Sequence, residues 1–234
     1  FQYNHEVRCL EVGAFWGYKT DGLIQTQEQL NAVKRADFQP NAELGDVLFV
    51  DTNGDGKLDS SDRCMIGNPI PDIIYGINMG MAWKGFDLNL QFGGTIGNQI
   101  FNAMRYYTYF PNDITNKDRA LMNYWTPNNT NTDIPRLTAT DVNDNDRFSD
   151  MYVENGTYFR LRNAQLGYTL PASLTQRIKL QKVRFYVSGQ NLFTISSYSG
   201  MDPEVGQSSS LSRGIDYGIY PQNISFTGGI NVTF

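Results

Sequence analysis

The sequence has few charged residues and few residues of the kinds that bind zinc. Charged side chains make up only 18% of its 234 residues, with 19 Lys and Arg against 24 Asp and Glu, a net charge of −5. Because binding to nucleic acid needs clustered Lys and Arg, we expect no nucleic-acid partner. One histidine, His5, and two cysteines, Cys9 and Cys64, leave little for a zinc site or a Cys–His nucleophile pair. The spacing of Cys9 and Cys64 does not decide between one disulfide and two free thiols.

Long apolar runs are also absent, which excludes one way of crossing a membrane. No segment approaches the ~18 apolar residues of a spanning helix. A β-strand, however, can cross a bilayer in about 9–11 alternating residues. The chain begins at Phe1 and not at Met, so we expect any targeting segment to lie upstream or to have been removed.

The strongest pattern in the sequence is a period of two. Apolar side chains alternate with small or polar ones over Tyr75–Trp83 and again over Phe86–Gly94. The two segments are joined by Lys84 and Gly85, and a two-residue connection that ends in Gly is typical of a tight β-hairpin. Both alternations place Trp83 and Phe86 on the same apolar face. The sequence therefore predicts a hairpin of two strands of about nine residues each.

Three later segments repeat the alternation. They are Tyr158–Leu170, Val183–Leu192 and Gln222–Phe234. In the first, Phe159 and Leu161 have the opposite parity to Leu166, Tyr168 and Leu170. One extra residue near Arg162-Asn163 restores a single apolar face, so we predict a β-bulge there.

Two architectures explain this alternation. In a soluble β-sandwich the apolar face packs into a core, whereas in a transmembrane barrel it meets lipid and the polar face lines a lumen. The strand lengths, the aromatic pair Trp83 and Phe86 at one strand end, and the alternation of short and long connections favour the barrel. The connections Thr95–Thr157 and Phe193–Pro221 then lie outside, and the chain ends on the periplasmic side.

Several segments between the strands have patterns of their own. Thr26–Ala36, Asn116–Trp125 and Ser173–Leu180 are helix candidates, and Asn128–Asp133 and Asp141–Asp146 have the composition of loop tips. Aromatic residues are frequent in the long connection, where packing within the loop is favoured over stacking on sugar; they are Tyr106, Tyr107, Tyr109, Phe110 and Trp125. The polar loop offers nothing to raise the pKa of Asp141, Asp144, Asp146 or Asp150, so we expect no enzyme.

A twelve-residue acidic segment, Asp51–Asp62, matches the pattern of a calcium loop. Oxygen ligands are expected from Asp51, Asn53, Asp55, the Lys57 carbonyl, Asp59 and Asp62, with Gly56 at the sharp turn and Leu58 as an apolar anchor. The alternative is an ordinary Asp/Gly surface turn. Because Val47–Val50 before the loop is strand-like, we expect a structural calcium ion and not a helix–loop–helix sensor.

Several motifs together resemble one family. They are Tyr18-Lys19-Thr20-Asp21-Gly22, Gly45-Asp46 before the acidic loop, Ile66-Gly67-Asn68-Pro69, Tyr75-Gly76, Trp125-Thr126-Pro127-Asn128, Arg160-Leu161-Arg162-Asn163, Leu166-Gly167-Tyr168, Ser188-Gly189-Gln190-Asn191-Leu192-Phe193 and Ile215-Asp216-Tyr217-Gly218. Over nearly its whole length the chain resembles the C-terminal region of SusC/RagA-type TonB-dependent outer-membrane transporters.

The resemblance implies an all-β fold and a transport function. It implies the C-terminal strands of a large antiparallel transmembrane β-barrel of about 22 strands, with long extracellular loops, in the outer membrane of a Gram-negative, Bacteroidota-like bacterium. The implied partners are a SusD-like surface lipoprotein, TonB acting through an N-terminal plug that this chain lacks, and outer-membrane lipid. The implied cargo is an oligosaccharide or, in some members, a peptide. The end of the chain, with Gly229, Val232 and Phe234, resembles the signal that the barrel-assembly machinery reads.

The length departs from the family, because about five spanning strands cannot close such a barrel. Five strands leave two unpaired edges and an apolar surface. We therefore expect part of a longer protein, with residues 1–73 as an extracellular segment that carries the calcium loop and 74–234 as barrel strands and loops. A secreted calcium-dependent carbohydrate-binding or adhesion β-sandwich module is the alternative.

Overall fold

The structure is a computed structural model that describes residues 13–110, 116–206 and 212–234. They form two compact units. The first unit joins the described residues up to Ile70 with those of Gln99–Glu154 and Val205–Gly218. The second joins Pro71–Asn98 with Asn155–Glu204 and Ile219–Phe234. No helix within these described ranges has the length and apolar character needed to span a membrane. The division of the chain at residue 73 stays a prediction.

Most regular structure in the described residues is β. The strands are β1 (Phe15–Gly17), β2 (Thr20–Leu23), β3 (Val47–Phe49), β4 (Cys64–Gly67), β5 (Ile73–Trp83), β6 (Phe86–Ile96), β7 (Gln99–Asn102), β8 (Val153–Asn155), β9 (Tyr158–Thr169), β10 (Lys182–Ser196), β11 (Ile215–Asp216) and β12 (Ser225–Thr233). The α-helices are α1 (Gln27–Arg35), α2 (Ala103–Thr108) and α3 (Ala172–Thr175). Short 3₁₀ helices cover Ser60–Asp62, Arg119–Asn123, Asp150–Tyr152 and Gln176–Ile178.

The second unit is built on a five-stranded antiparallel sheet. Its strand order is β12-β10-β9-β6-β5. All five are strands that the alternation predicts, and β10 is longer than predicted because it continues to Ser196. The long strands follow from side chains that alternate consistently between one apolar and one polar face.

Two local features set the register of this sheet, and both were predicted. Lys84 and Gly85 have φ values of 47° and 89°, which is the left-handed pair that a two-residue hairpin turn requires. In β9, Asn163 pairs with Gln91 and Leu161 with the next residue, Phe92, so Arg162 is extra. This confirms the bulge at Arg162-Asn163, and it keeps both halves of β9 on the same apolar face.

The first unit contains short strands and two main apolar clusters. Its sheets pair β1 with β4, β2 with β3, and β7 with both β8 and β11. One cluster consists of Phe15, Ile66, Phe101, Ala103, Phe110 and Tyr152, and the other of Tyr18, Leu23, Phe38, Val47, Phe49 and Trp125. Buried apolar side chains thus hold together a unit that has little continuous sheet.

The helix predictions are confirmed in part. Thr26 caps α1, and Gln29 completes a capping box with it, as the Thr-x-x-Gln spacing indicates. The turn after Pro171 forms α3 and a short 3₁₀ helix, also as predicted. The prediction of a helix over Asn116–Trp125 is wrong in extent, because only Arg119–Asn123 is helical and it is 3₁₀.

Candidate functional site

One face of the five-stranded sheet is apolar from edge to edge. The strand register aligns rows of apolar or glycine positions across all five strands, for example Met81, Leu88, Leu166, Val187 and Gly228. Many of these side chains are exposed in this chain, with Trp83 at 65%, Met81 at 68% and Phe226 at 75%. A contiguous exposed apolar surface of this kind marks contact with another apolar phase or partner.

Aromatic rings lie at both ends of this apolar face. At the hairpin end, the rings of Phe86 and Tyr168 lie 4.5 Å apart and Trp83 is adjacent. At the other end, Phe159 stacks on Phe92 at 5.2 Å and lies 6.4 Å from Tyr75. The belt at the Trp83 end was expected; the second follows from the same parity of Tyr75 and Phe92 but was not predicted.

The strands between these two aromatic belts have the length needed to cross the apolar part of a bilayer. β5 has 11 residues, and 11 residues rise about 37 Å along a strand. With a tilt of ~45° this corresponds to roughly 26 Å, close to the ~25 Å apolar band of outer-membrane barrels.

The opposite face of the sheet is polar. Its rows carry amides, hydroxyls and glycines, for example Asn78, Gln91, Asn163, Gln190 and Ser225 in one row. Arg184 donates from Nε and Nη2 to the two oxygens of Asp87, at 2.9 and 2.5 Å. This bidentate pair links β10 to β6 across β9, because Gly167 lies between the two side chains.

The acidic loop is organised around its own backbone. The Asp51 carboxylate accepts the N–H groups of Gly54 at 2.6 Å and Gly56 at 2.8 Å. The Asp55 carboxylate accepts the N–H of Lys57 at 2.8 Å, and the amide oxygen of Asn53 accepts that of Asp55. The Gly56 N–H is the main cause that lowers the pKa of Asp51.

Asp62 closes the loop from a buried position. Its two oxygens accept the N–H groups of Thr52 at 3.0 Å and Asp59 at 2.9 Å, while Asp59 accepts the N–H of Ser61 at 2.7 Å. The Ser61 N–H lowers the pKa of Asp59. The loop is thereby closed, because Asp62 at its end accepts from Thr52, the residue directly after Asp51 at its start.

Other features of the loop agree with the predicted roles. Gly56 has φ 76°, the left-handed conformation expected at the sharp turn. Leu58 packs against the cluster that contains Phe38 and Phe49, as predicted for an apolar anchor. In the described residues, no three His, Cys, Asp or Glu side chains are grouped closely enough to hold a metal. The calcium ion stays a prediction.

The polar segment 141–146 is not a loop tip, and that prediction is wrong. Asn143 and Asn145 are buried, and their amides hydrogen-bond the edge of β3: Asn145 accepts the Val47 N–H at 2.7 Å and Asn143 donates to the Val47 carbonyl at 3.2 Å. Burial also raises the pKa of Asp141, so the expectation that nothing raises a pKa there is wrong too. The segment is polar because its amides hydrogen-bond the backbone at an edge of β3, in the place where a neighbouring strand would otherwise pair.

The aromatic residues of the long connection pack within the first unit, as favoured over sugar stacking. Phe110 is buried, Tyr106 and Tyr109 pack beside it, and Trp125 belongs to the other cluster. Tyr107 is exposed at 52%. The helix α2, which carries Tyr106 and Tyr107, was not predicted, because its short sequence shows no clear helical period.

The predicted assembly-signal residues lie at the end of the sheet. Gly229 and Val232 are in β12, and Phe234 follows it with 83% exposure. Cys9 lies outside the described residues, so its pairing with Cys64 stays open.

The comparisons agree on one class of protein. No family model matches the chain. TonB-dependent receptor P3 of Formosa agariphila is 38% identical over 233 residues, which are 95% of this chain and 22% of that protein. TonB-dependent receptor SusC of Bacteroides thetaiotaomicron is 29% identical over 84% of this chain and 18% of that protein. The structure of the RagAB peptide transporter matches with a TM-score of 0.71 and 25% identity, over 94% of this chain and 22% of that one.

Sequence and fold together identify the class: the chain is part of a TonB-dependent receptor. More particularly, the chain is a segment of a SusC/RagA-type receptor, and it spans about a fifth of the length of the relatives it matches. The predicted fold class, antiparallel strands of a large β-barrel, is confirmed by this likeness. The relatives are named as receptors and transporters, which are not enzymes, in agreement with the expectation from the sequence.

Proposed function

We propose that the chain forms part of the wall of an outer-membrane transporter that imports a nutrient with energy from TonB. The observation that carries the proposal is the separation of the five-stranded sheet into an apolar face and a mainly polar face. In a barrel wall the first meets lipid and the second lines the lumen. The likeness to SusC and to the RagAB peptide transporter supports this assignment over the secreted β-sandwich module.

The connections of the sheet support an orientation in the membrane. The turn at Lys84-Gly85, the connection 170–181 and the end of the chain at Phe234 all lie at one end of the sheet. The strand ends from which the long connections 97–157 and 197–224 leave lie at the other end. Because outer-membrane barrels have short periplasmic turns and long outer loops, we place the first end in the periplasm and the second outside.

The remaining partners follow from the same assignment. The transporter would act with a SusD-like surface lipoprotein, with TonB through its plug region, and with the barrel-assembly machinery, which reads the segment with Gly229, Val232 and Phe234. The cargo we favour is a glycan oligosaccharide, since the amides and hydroxyls of the polar face suit a hydroxyl-rich ligand. A peptide is the other candidate, supported by the fold shared with the RagAB peptide transporter.

Growth on defined nutrients tests this function in the full-length protein. The encoding gene is deleted, and the strain is grown on single polysaccharides or on a casein peptide digest as the carbon source. We expect loss of growth on one nutrient, rescued by the wild-type gene only when TonB is present. Rescue that persists without TonB, or growth that never depends on the gene, would contradict the proposal.

We also infer that the loop Asp51–Asp62 takes a structural calcium ion. Support comes from the left-handed Gly56, the anchored Leu58, and the closure of the loop by the hydrogen bond from Thr52 to Asp62. Each carboxylate oxygen that accepts one N–H keeps a further lone pair for a cation. The ion would be bound by oxygens of Asp51, Asn53, Asp55, the Lys57 carbonyl, Asp59 and the buried Asp62. It would offset the electrostatic repulsion among the four acids of the loop.

Calorimetry on the full-length protein, stripped with a chelator, tests the calcium site. The wild type should release or absorb heat with calcium, and Asp51→Asn should weaken binding by at least ~10-fold, because it removes a ligand charge. Asp21→Asn is the matched control, since Asp21 is an exposed acid outside the loop, and it should bind as the wild type does. Equal binding by Asp51→Asn and wild type, or no heat at all, would remove the site.

A further inference from the structure

Two arginines project from the bulged strand β9 onto the polar face of the sheet. Arg160 is almost fully buried, with a side-chain exposure of 2%, whereas Arg162, the extra residue of the bulge, is 44% exposed. Arg162 also donates to the Tyr158 hydroxyl at 3.2 Å, which fixes its direction. The strand thus presents two neighbouring guanidinium groups, of which that of Arg160 is buried and that of Arg162 is exposed to solvent.

A carboxylate from the same chain bridges these two groups. Glu204 accepts from Nη1 of Arg160 through Oε2 at 2.9 Å and from Nη2 of Arg162 through Oε1 at 3.1 Å. Each oxygen therefore contacts a different arginine. A carboxylate shared between two guanidinium groups is the arrangement of an anion-binding site.

The neighbouring acid, Asp202, is held much more firmly than Glu204. Asp202 is buried, pairs with Nη2 of Arg160 at 2.6 Å, and accepts the N–H groups of Gln222 at 3.0 Å and Glu204 at 2.8 Å. Glu204 has a side-chain exposure of 35%. Because water reaches the partly exposed carboxylate of Glu204, this carboxylate can leave the site while the buried Asp202 keeps Arg160 neutralised.

The surface beside Arg162 has room for a ligand. The Arg162 side chain lies against Gly93, the partner of Arg160, because a Cβ at Gly93 would come within 2.7 Å of Nε of Arg162. Across the next strand, a Cβ on Gly76 would come no closer than 3.9 Å to the Phe92 carbonyl, so the space above it is open. The exposed amides of Asn78 and Gln91 border this open space, which we call the hollow.

We propose that Arg160 and Arg162 form a carboxylate-binding site on the polar face, that Glu204 occupies it in this structure, and that a carboxylate of the imported ligand replaces Glu204. The inference rests on the proposed function, because the polar face meets cargo only if it lines the lumen. The exchange of one carboxylate for another conserves charge, whereas an uncharged ligand cannot satisfy the two guanidinium groups. The ligand class is an acidic one, from either a uronate-containing oligosaccharide or an acidic peptide.

Binding to the full-length transporter tests the site. The acidic probes are trigalacturonate and triglutamate, and their uncharged counterparts are maltotriose and trialanine amide. Glu204→Gln removes the carboxylate that competes with the probe for the two arginines. It should therefore tighten binding of an acidic probe by about 5-fold, which corresponds to ~1 kcal/mol. Arg162→Gln should weaken it by at least ~10-fold, because a charged hydrogen bond is lost, and Arg162→Lys should lie between.

A second variant tests the hollow without touching the arginines. Gly76→Leu fills open space and should weaken the same probe, while the uncharged counterparts should bind weakly to every variant. Response to trigalacturonate alone indicates a saccharide source, and response to triglutamate alone a peptide source. Each variant should retain the heat-modifiable folded form in semi-native electrophoresis.

Two results separate the failure of this inference from failure of the proposed function. If no variant changes the affinity for acidic probes, or neither wild type nor Glu204→Gln binds them in preference to uncharged ones, the carboxylate site is wrong. TonB-dependent uptake of a nutrient would then still stand. Uptake that does not depend on TonB overturns the transporter assignment instead.

Discussion

Two adjacent glycines near the end of the chain, Gly228 and Gly229, differ in whether a larger side chain would fit at their position. Gly229 lies on the polar face of β12, where a Cβ would meet the Tyr186 ring at 2.5 Å. Gly228 lies on the apolar face, and a Cβ there would approach nothing closer than the Tyr186 carbonyl at 3.9 Å. The need for glycine at 229 is therefore steric.

Alanine at each glycine gives a matched pair. Gly229→Ala should destabilise the sheet by about 1–3 kcal/mol, the usual cost of overpacking, because the Tyr186 ring must move. Gly228→Ala should be close to neutral. The yield and heat resistance of the folded full-length barrel, followed by semi-native electrophoresis, measure both. Equal behaviour of the two variants would contradict the steric explanation.

The acidic loop makes a prediction about pH. Backbone N–H groups lower the pKa of Asp51 and Asp59 below the value of ~3.9 in an unfolded chain. Because these pKa values are depressed, their stabilising effect is complete above ~3.9 and is lost as the pH falls through the folded values. The loop should therefore keep its order at pH 5 and lose it in stronger acid.

Hydrogen exchange of the full-length protein, read by mass spectrometry, measures this loss. Protection of a peptide covering residues 51–62 should be similar at pH 7 and pH 5 and should fall below about pH 3.5, after correction for intrinsic exchange rates. The peptide of helix α1 is the control, because its amides bond to backbone carbonyls. Protection of the loop that persists to pH 2 would show that the carboxylates do not hold it.

At the scale of the elements, strand β9 depends on one extra residue. Without Arg162, the alternation of β9 would run unbroken from Phe159 to Thr169 against β6. The bulge therefore corrects the parity of the side chains that follow it, and any other change of one residue would turn them to the wrong face.

Single-residue deletions test this reading of β9. Deletion of Arg162 should leave a folded, heat-modifiable barrel, because Leu161 and Leu166 stay on the apolar face. Deletion of Gln165 should abolish the folded form, because Leu166 and Tyr168 would move to the polar face. A folded Gln165 deletion, or loss of fold only in the Arg162 deletion, would contradict the assigned register.

Elements that depend on nearby residues could be predicted from the sequence, whereas those that depend on residues far along the chain could not. The hairpin β5–β6 and the bulge were predicted because alternation and a tight turn are local signals. The short strands β7, β8 and β11 were missed, since strands of two to four residues acquire their partners from distant parts of the chain. The burial of Asn143 and Asn145 was missed for the same reason: their partner, Val47, lies 96 residues or more away.

At the scale of the whole molecule, the candidate sites were predicted to different extents. The two faces of the sheet follow from parity alone, so the contrast between Met81 and Asn78 was evident in the sequence. The ligand pattern of Asp51–Asp62 was equally evident. The bridge from Arg160 and Arg162 to Glu204 was not evident, because it joins a strand to a connection 44 and 42 residues further on.

The central claim is that lipid contacts the apolar face of the sheet. The most direct measurement is the accessibility of spin labels on the full-length protein in lipid vesicles, with the label at Met79 on the apolar face or at Asn78, its neighbour on the polar face. The account predicts that the label at 79 collides with oxygen dissolved in the bilayer and that the label at 78 collides with a water-soluble nickel complex. A label at 79 that is shielded from both, as in a packed protein core, or that is reached by nickel as readily as the label at 78, would contradict it.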